Sequence, residues 1–163
     1  MIEKNRNRNW PLIVSTIPAI VIIIVFIALG YIFPGPDRIL SQARGDFDRG
    51  NYDLARGQLL KVMETTKIGS AYRNEANLYY ALTFVYESRF SEGAKELRQF
   101  INDYPNSFWT PQAYYELANC EKNLGNRGQA VVLYQRIITD FPTTTWSQYS
   151  KDRLKEIGEL KIF

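Results

Sequence analysis

The chain has no histidine and a single cysteine among its 163 residues. Histidine is the commonest general base and the commonest metal ligand near neutral pH, so its absence removes the usual starting points for both chemistries. Cys120 alone cannot close an internal disulfide, which leaves the redox compartment open. No cysteine follows the apolar stretch near the N-terminus to carry a lipid. Charge of one sign is also scarce. Of the 20 basic and 17 acidic residues, Lys4, Arg6, Arg8 and Glu3 precede residue 11, leaving 17 basic against 16 acidic. A nucleic-acid binder needs a basic face to neutralise phosphates, and no run or helical stripe of Lys and Arg supplies one. No glycine-rich phosphate loop, Cys-x-x-Cys pair or nucleophile elbow occurs. No catalytic residue, metal ligand or cofactor is therefore expected. Asp37, Asp46 and Asp48 are the nearest thing to a carboxylate cluster and read as solvated charges. Cys120, close to Ala118, reads as a small buried thiol.

What is present begins with an apolar run. No charged residue lies between Arg8 and Asp37, and the 23 residues from Pro11 to Phe33 are almost wholly apolar. At about 1.5 Å per residue such a helix reaches about 34 Å, enough for a hydrocarbon layer of about 30 Å. Trp10 and Tyr31 stand where amphipathic rings prefer the headgroup level, and Pro34-Gly35-Pro36 cannot continue a helix. A signal peptide competes, because Ala28-Leu29-Gly30 has small residues suited to cleavage, but its apolar core is usually only about 7 to 15 residues. Residues 10–33 are therefore expected to be a single transmembrane helix in contact with the lipid bilayer. Residues 1–9 would be a cytoplasmic stub, since Lys4, Arg6 and Arg8 stay on the cytoplasmic side, and 34–36 a linker. Everything from residue 37 onward would lie across the membrane.

Shifted by 37 residues, the chain matches itself. Ile101-Asn102-Asp103-Tyr104-Pro105 falls on Ile138-Thr139-Asp140-Phe141-Pro142, Trp109 on Trp146 and Leu117 on Leu154. A period of this size is the mark of stacked helical units. Apolar spacing predicts paired helices: Asp37 to Arg49 with Tyr52 to about Thr66, Ala71 to Glu87 with Phe90 to Asn102, and Thr110 to Leu124 with Arg127 to Thr139. A last helix, from Trp146 to about Leu160, is polar on most faces and suits a solvating cap.

These units resemble tetratricopeptide repeats. Small residues stand at Ala43 and Ala55, at Ala81 and Gly93, and at Ala118 and Ala130, where the helices of a hairpin approach closely. Turn glycines stand at Gly50 and Gly125, and closing prolines at Pro105 and Pro142. The first unit lacks the closing proline, and the second has Ser88-Arg89 in place of a glycine turn. The resemblance implies an all-α fold: a right-handed α-solenoid of three hairpins (37–69, 70–107 and 108–144) with a C-terminal cap at 145–160. The period and the Tyr-Pro-Asn-Ser motif are similar to bacterial envelope members of the family. The domain would then be periplasmic and the anchor would lie in the inner (cytoplasmic) membrane.

The family's inner groove, carried onto this chain, implies partner contacts at Arg44, Phe47, Leu82, Tyr86, Tyr115, Asn119, Lys122 and Asn123, grading from apolar to polar. The alternative is that the last helix covers part of this face. Function is expected to be non-catalytic: a membrane-anchored scaffold or accessory subunit of a larger inner-membrane complex, or else a free periplasmic adaptor that holds peptide segments in the groove.

Overall fold

A computed structural model describes residues 20–25, 27 and 34–158. The chain divides into two compact units, residues 1–35 and 36–163. In the first, residues 20–25 are helical and their side chains are about half exposed. No helix among the described residues is long and apolar enough to cross a membrane. Most of the expected span at 10–33, and the stub at 1–9, lie outside the described residues.

The second unit contains, among its described residues, seven helices and no strand: α1 (Pro36–Asp48), α2 (Tyr52–Thr65), α3 (Ala71–Tyr86), α4 (Phe90–Asp103), α5 (Thr110–Asn123), α6 (Arg127–Asp140) and α7 (Thr145–Glu156). Each boundary has a local cause. Pro36 opens α1, and Pro111 sits in the first turn of α5, where a missing N–H costs nothing. Ser70 and Thr144 cap α3 and α7, their hydroxyls accepting from the N–H of Arg73 and Ser147. Three hairpin turns close alike. The N–H of Asn51 bonds the Asp46 carbonyl at 2.9 Å, Arg89 that of Phe84 at 2.9 Å, and Asn126 that of Glu121 at 2.8 Å. The residue before each takes positive φ: Gly50 at 79°, Ser88 at 61° and Gly125 at 83°. Ser88 thus occupies a left-handed position that glycine fills in the other two turns.

Helix pairing follows chain order, each helix packing on the next. The odd helices also touch, α1 on α3, α3 on α5 and α5 on α7, whereas among the described residues the even helices do not. One side of the stack is therefore tight and the other splayed, and α1, α3, α5 and α7 line the concave wall. Ala43, Ala55, Ala81, Ala118 and Ala130 are wholly buried where hairpins close. At Gly93 even a Cβ would come within 2.8 Å of Val85 Cγ2, which explains glycine at the place other units give to alanine. One core cluster joins α1, α2 and the start of α3, a larger one runs from Leu78 to Leu154, and Phe47 packs against both.

Three expectations are corrected. The last helix ends at Glu156 rather than near Leu160, because Gly158 takes φ 74° and the N–H groups of Ile157 and Gly158 return to the carbonyls of Arg153 and Lys155. It is also no merely solvating cap: Ser147, Ser150 and Leu154 are buried, and Trp146 and Ile157 pack on the core. Asp46, expected to be solvated, is only 6% exposed and accepts from Arg49 at 2.6 Å and Gln58 at 2.9 Å. Glu121, at the same place in the third hairpin, is 1% exposed and held by Arg98 and Asn126. Buried carboxylates at the end of an inner helix are tolerated because each finds donors on the adjoining elements.

Candidate inner-wall binding groove

The inner wall is built from contacts between successive odd helices. At its N-terminal end the Arg44 guanidinium pairs with Glu75 of α3 at 3.0 Å. Phe47 meets Tyr52, Tyr79 and Tyr86 edge-on, with centroids 5.2 to 5.5 Å apart, a favourable geometry for ring quadrupoles. Tyr86 is 57% exposed, whereas Leu82 is 3% exposed and belongs to the core.

At the C-terminal end Tyr115 is 8% exposed. Its ring lies against Trp146 and Tyr149 of α7 and Tyr134 of α6, and its hydroxyl accepts from Arg153 Nε at 3.1 Å. The last helix therefore does cover this part of the wall. Asn119 is held on both sides: its Oδ1 accepts from the Tyr134 hydroxyl at 2.6 Å, and its Nδ2 donates to Glu116 Oε2 at 3.1 Å. Asn123 donates back to the Asn119 carbonyl at 2.8 Å.

Between the two ends lies a depression of about 360 Å³ whose wall includes Tyr86, Asn119, Lys122 and Asn123. Of the eight residues singled out on sequence grounds these four come together there. Arg44 and Phe47 stand at the N-terminal end, and Leu82 and Tyr115 are buried. The depression is completed by Val85, Phe90, Glu116 and Arg153. Of these, Val85 falls on a groove position that the resemblance also implies, whereas Phe90, Glu116 and Arg153 were missed. A signal for two of them existed, because Glu116 and Arg153 carry opposite charges one 37-residue period apart. Burial raises the Glu116 carboxyl above its ordinary range, with the Asn119 hydrogen bond and the Arg153 charge opposing. Burial likewise lifts Tyr86, and the Glu116 charge adds to it. Cys120 is wholly buried beside Gly93, and burial pushes its thiol up to about 12.

A curved stack of helix hairpins with a ligand-sized depression on its tight side defines the class: a helical repeat protein of the solenoid kind. A family model described as tetratricopeptide repeat matches residues 67–107 and 112–144, the second and third hairpins. Those two hairpins are thus similar to tetratricopeptide repeats. No curated protein matches the chain.

Proposed function

We propose that this protein is a non-catalytic, membrane-anchored scaffold or accessory subunit of a larger inner-membrane complex, its repeat domain on the periplasmic side. It holds a protein partner on the concave wall. One observation carries the binding half of this reading: Tyr86, Asn119, Lys122 and Asn123 converge on one depression with Glu116 and Arg153. The Lys122 ammonium makes no ion pair among the described residues, and Tyr86 offers a half-exposed ring. Polar groups fixed by internal hydrogen bonds at the edge of an aromatic patch suit an orienting contact flanked by apolar burial. The anchor half rests on the uncharged run from Pro11 to Phe33.

A photo-reactive residue at Lys122 or Tyr86 in the full chain should give covalent adducts with a protein partner in cells. The same probe at Val132, which is 56% exposed on α6, should give none. Adducts from Val132 alone would overturn the groove. The free-adaptor reading is separated by extraction in mild detergent and native electrophoresis. Migration with a large complex that survives replacing residues 11–33 by an unrelated span would favour a domain-held adaptor over a subunit packed through its own helix.

A further inference from the structure

We infer that one edge of the repeat domain, carrying Ile68 and Phe108, rests on the lipid surface. Because the hairpins are antiparallel, the chain start at Pro36, the α2–α3 loop, the α4–α5 loop and the α6–α7 loop all fall on one edge, and the three tight turns fall on the other. Ile68 at 81% and Phe108 at 86% are the two most exposed large apolar side chains among the described residues, and each stands in a loop of the first edge.

Neither loop is loose. Gly69 at φ 82° and the Ser70 N–H on the Lys67 carbonyl turn the chain around Ile68. Phe108 is held by the Ser107 N–H on the Tyr104 carbonyl at 3.1 Å, the Thr110 N–H on the Ser107 carbonyl at 3.0 Å, and an edge contact with Trp109 at 5.1 Å. Two large apolar side chains held outward in this way lose little further entropy on meeting an apolar phase. The third loop, farthest along the stack from Pro36, ends in Thr143-Thr144-Thr145 instead. On this edge, among the described residues, exposed apolar tips thus occur on the two loops nearest Pro36, and in the sequence Pro34 and Gly35 follow directly on the uncharged run 11–33. A bilayer entered by that run is the occupant the sequence supplies. An exposed Phe and Ile beside the half-exposed Tyr72 match the composition that enters the headgroup layer. The inference rests on the anchor proposed above.

The test uses the full chain reconstituted in phosphatidylcholine vesicles with no other protein present. Spin labels are placed singly at Ile68→Cys, Phe108→Cys and, on the opposite edge, Leu124→Cys; the native thiol of Cys120 is buried and stays unlabelled. Both loop side chains are largely exposed, so the labels leave the fold intact. Supporting the inference, the protein floats with the vesicles, and labels at 68 and 108 relax several-fold more strongly with dissolved oxygen than with a water-soluble nickel complex, whereas the label at 124 behaves oppositely. Flotation with all three labels equally open to nickel overturns the lipid contact and leaves the anchor standing, as it would if these side chains served a protein partner instead. Failure to float overturns both.

Discussion

The two ends of the inner wall carry similar aromatic residues and present them differently. At the N-terminal end Phe47, Tyr52, Tyr79 and Tyr86 form an edge-to-face cluster whose outermost ring stays 57% exposed. At the C-terminal end Tyr115, Tyr134 and Trp146 form a comparable cluster, but α7 lies over it and Tyr115 falls to 8% exposed. The availability of an inner-wall residue is thus decided by the neighbouring odd helix. The depression lies where neither end wins: α3 contributes Tyr86, α5 Asn119 and Lys122, and α7 reaches in only with Arg153.

The largest expected effect comes from loosening that cover. Leu154 is 1% exposed and seats α7 in the core; Leu154→Ala should destabilise the domain by about 3 kcal/mol in urea unfolding. It should also open Tyr115 to nitration while leaving the modification of Tyr86 unchanged. Equal reactivity of Tyr115 before and after would break the comparison. Next is a test of what the two ends share. Ala55 and Ala130 are both wholly buried at the close approach of a hairpin, so Ala55→Leu and Ala130→Leu should each cost about 1 to 3 kcal/mol. No change in melting temperature in either would show that the hairpins do not close there.

Between the ends, Ser88→Gly should stabilise the middle hairpin by about 0.5 to 1 kcal/mol, because serine at φ 61° bears a strain that glycine lacks. A loss of stability would mean the Ser88 side chain compensates. The smallest effects are expected from two carboxylates of opposite sign. Burial raises Glu116 above its ordinary 4.5, so the folded state holds the proton more tightly and stability falls as pH rises through and above 4.5. Glu116→Gln should therefore be the more stable form at pH 7, with the gap closing below 4.5. Arg49 holds Asp46 below its ordinary 3.8, so its contribution is present at neutral pH and lost as pH falls through that range. Asp46→Asn should be the less stable form at pH 7, converging on the parent in acid. Urea titrations at a series of pH values read both gaps; parallel rather than opposite trends would erase the electrostatic difference between the two hairpins.

Much of the domain was legible because its signals are local. Helix starts at Tyr52, Ala71, Phe90, Thr110 and Arg127 follow from apolar spacing and the turns between helices, and α1 begins one residue before the predicted Asp37. The α7 end was misplaced because the stop at Gly158 is one positive-φ glycine in an otherwise helix-favouring run. Of the groove set that the resemblance implied, Tyr86, Asn119, Lys122 and Asn123 line one depression. Tyr115 is buried for a reason that spacing along α5 cannot carry, namely the rings α7 lays on it. Phe90 was missed because it opens an even helix, whose interior faces away from the wall.

By itself the sequence determined that the folded part is a row of helix pairs. Small residues at Ala55, Gly93 and Ala130 and left-handed turns at Gly50, Ser88 and Gly125 act within a few residues of themselves, and a 37-residue period repeats the result. Only the tertiary structure decided which wall is concave and which of its side chains are free. Those follow from distances between helices that are neighbours in space but not in sequence. Burial of Tyr115 under α7, of the carboxylate of Glu121 against Arg98 and Asn126, and of Leu82 in the core all depend on that second kind of neighbour.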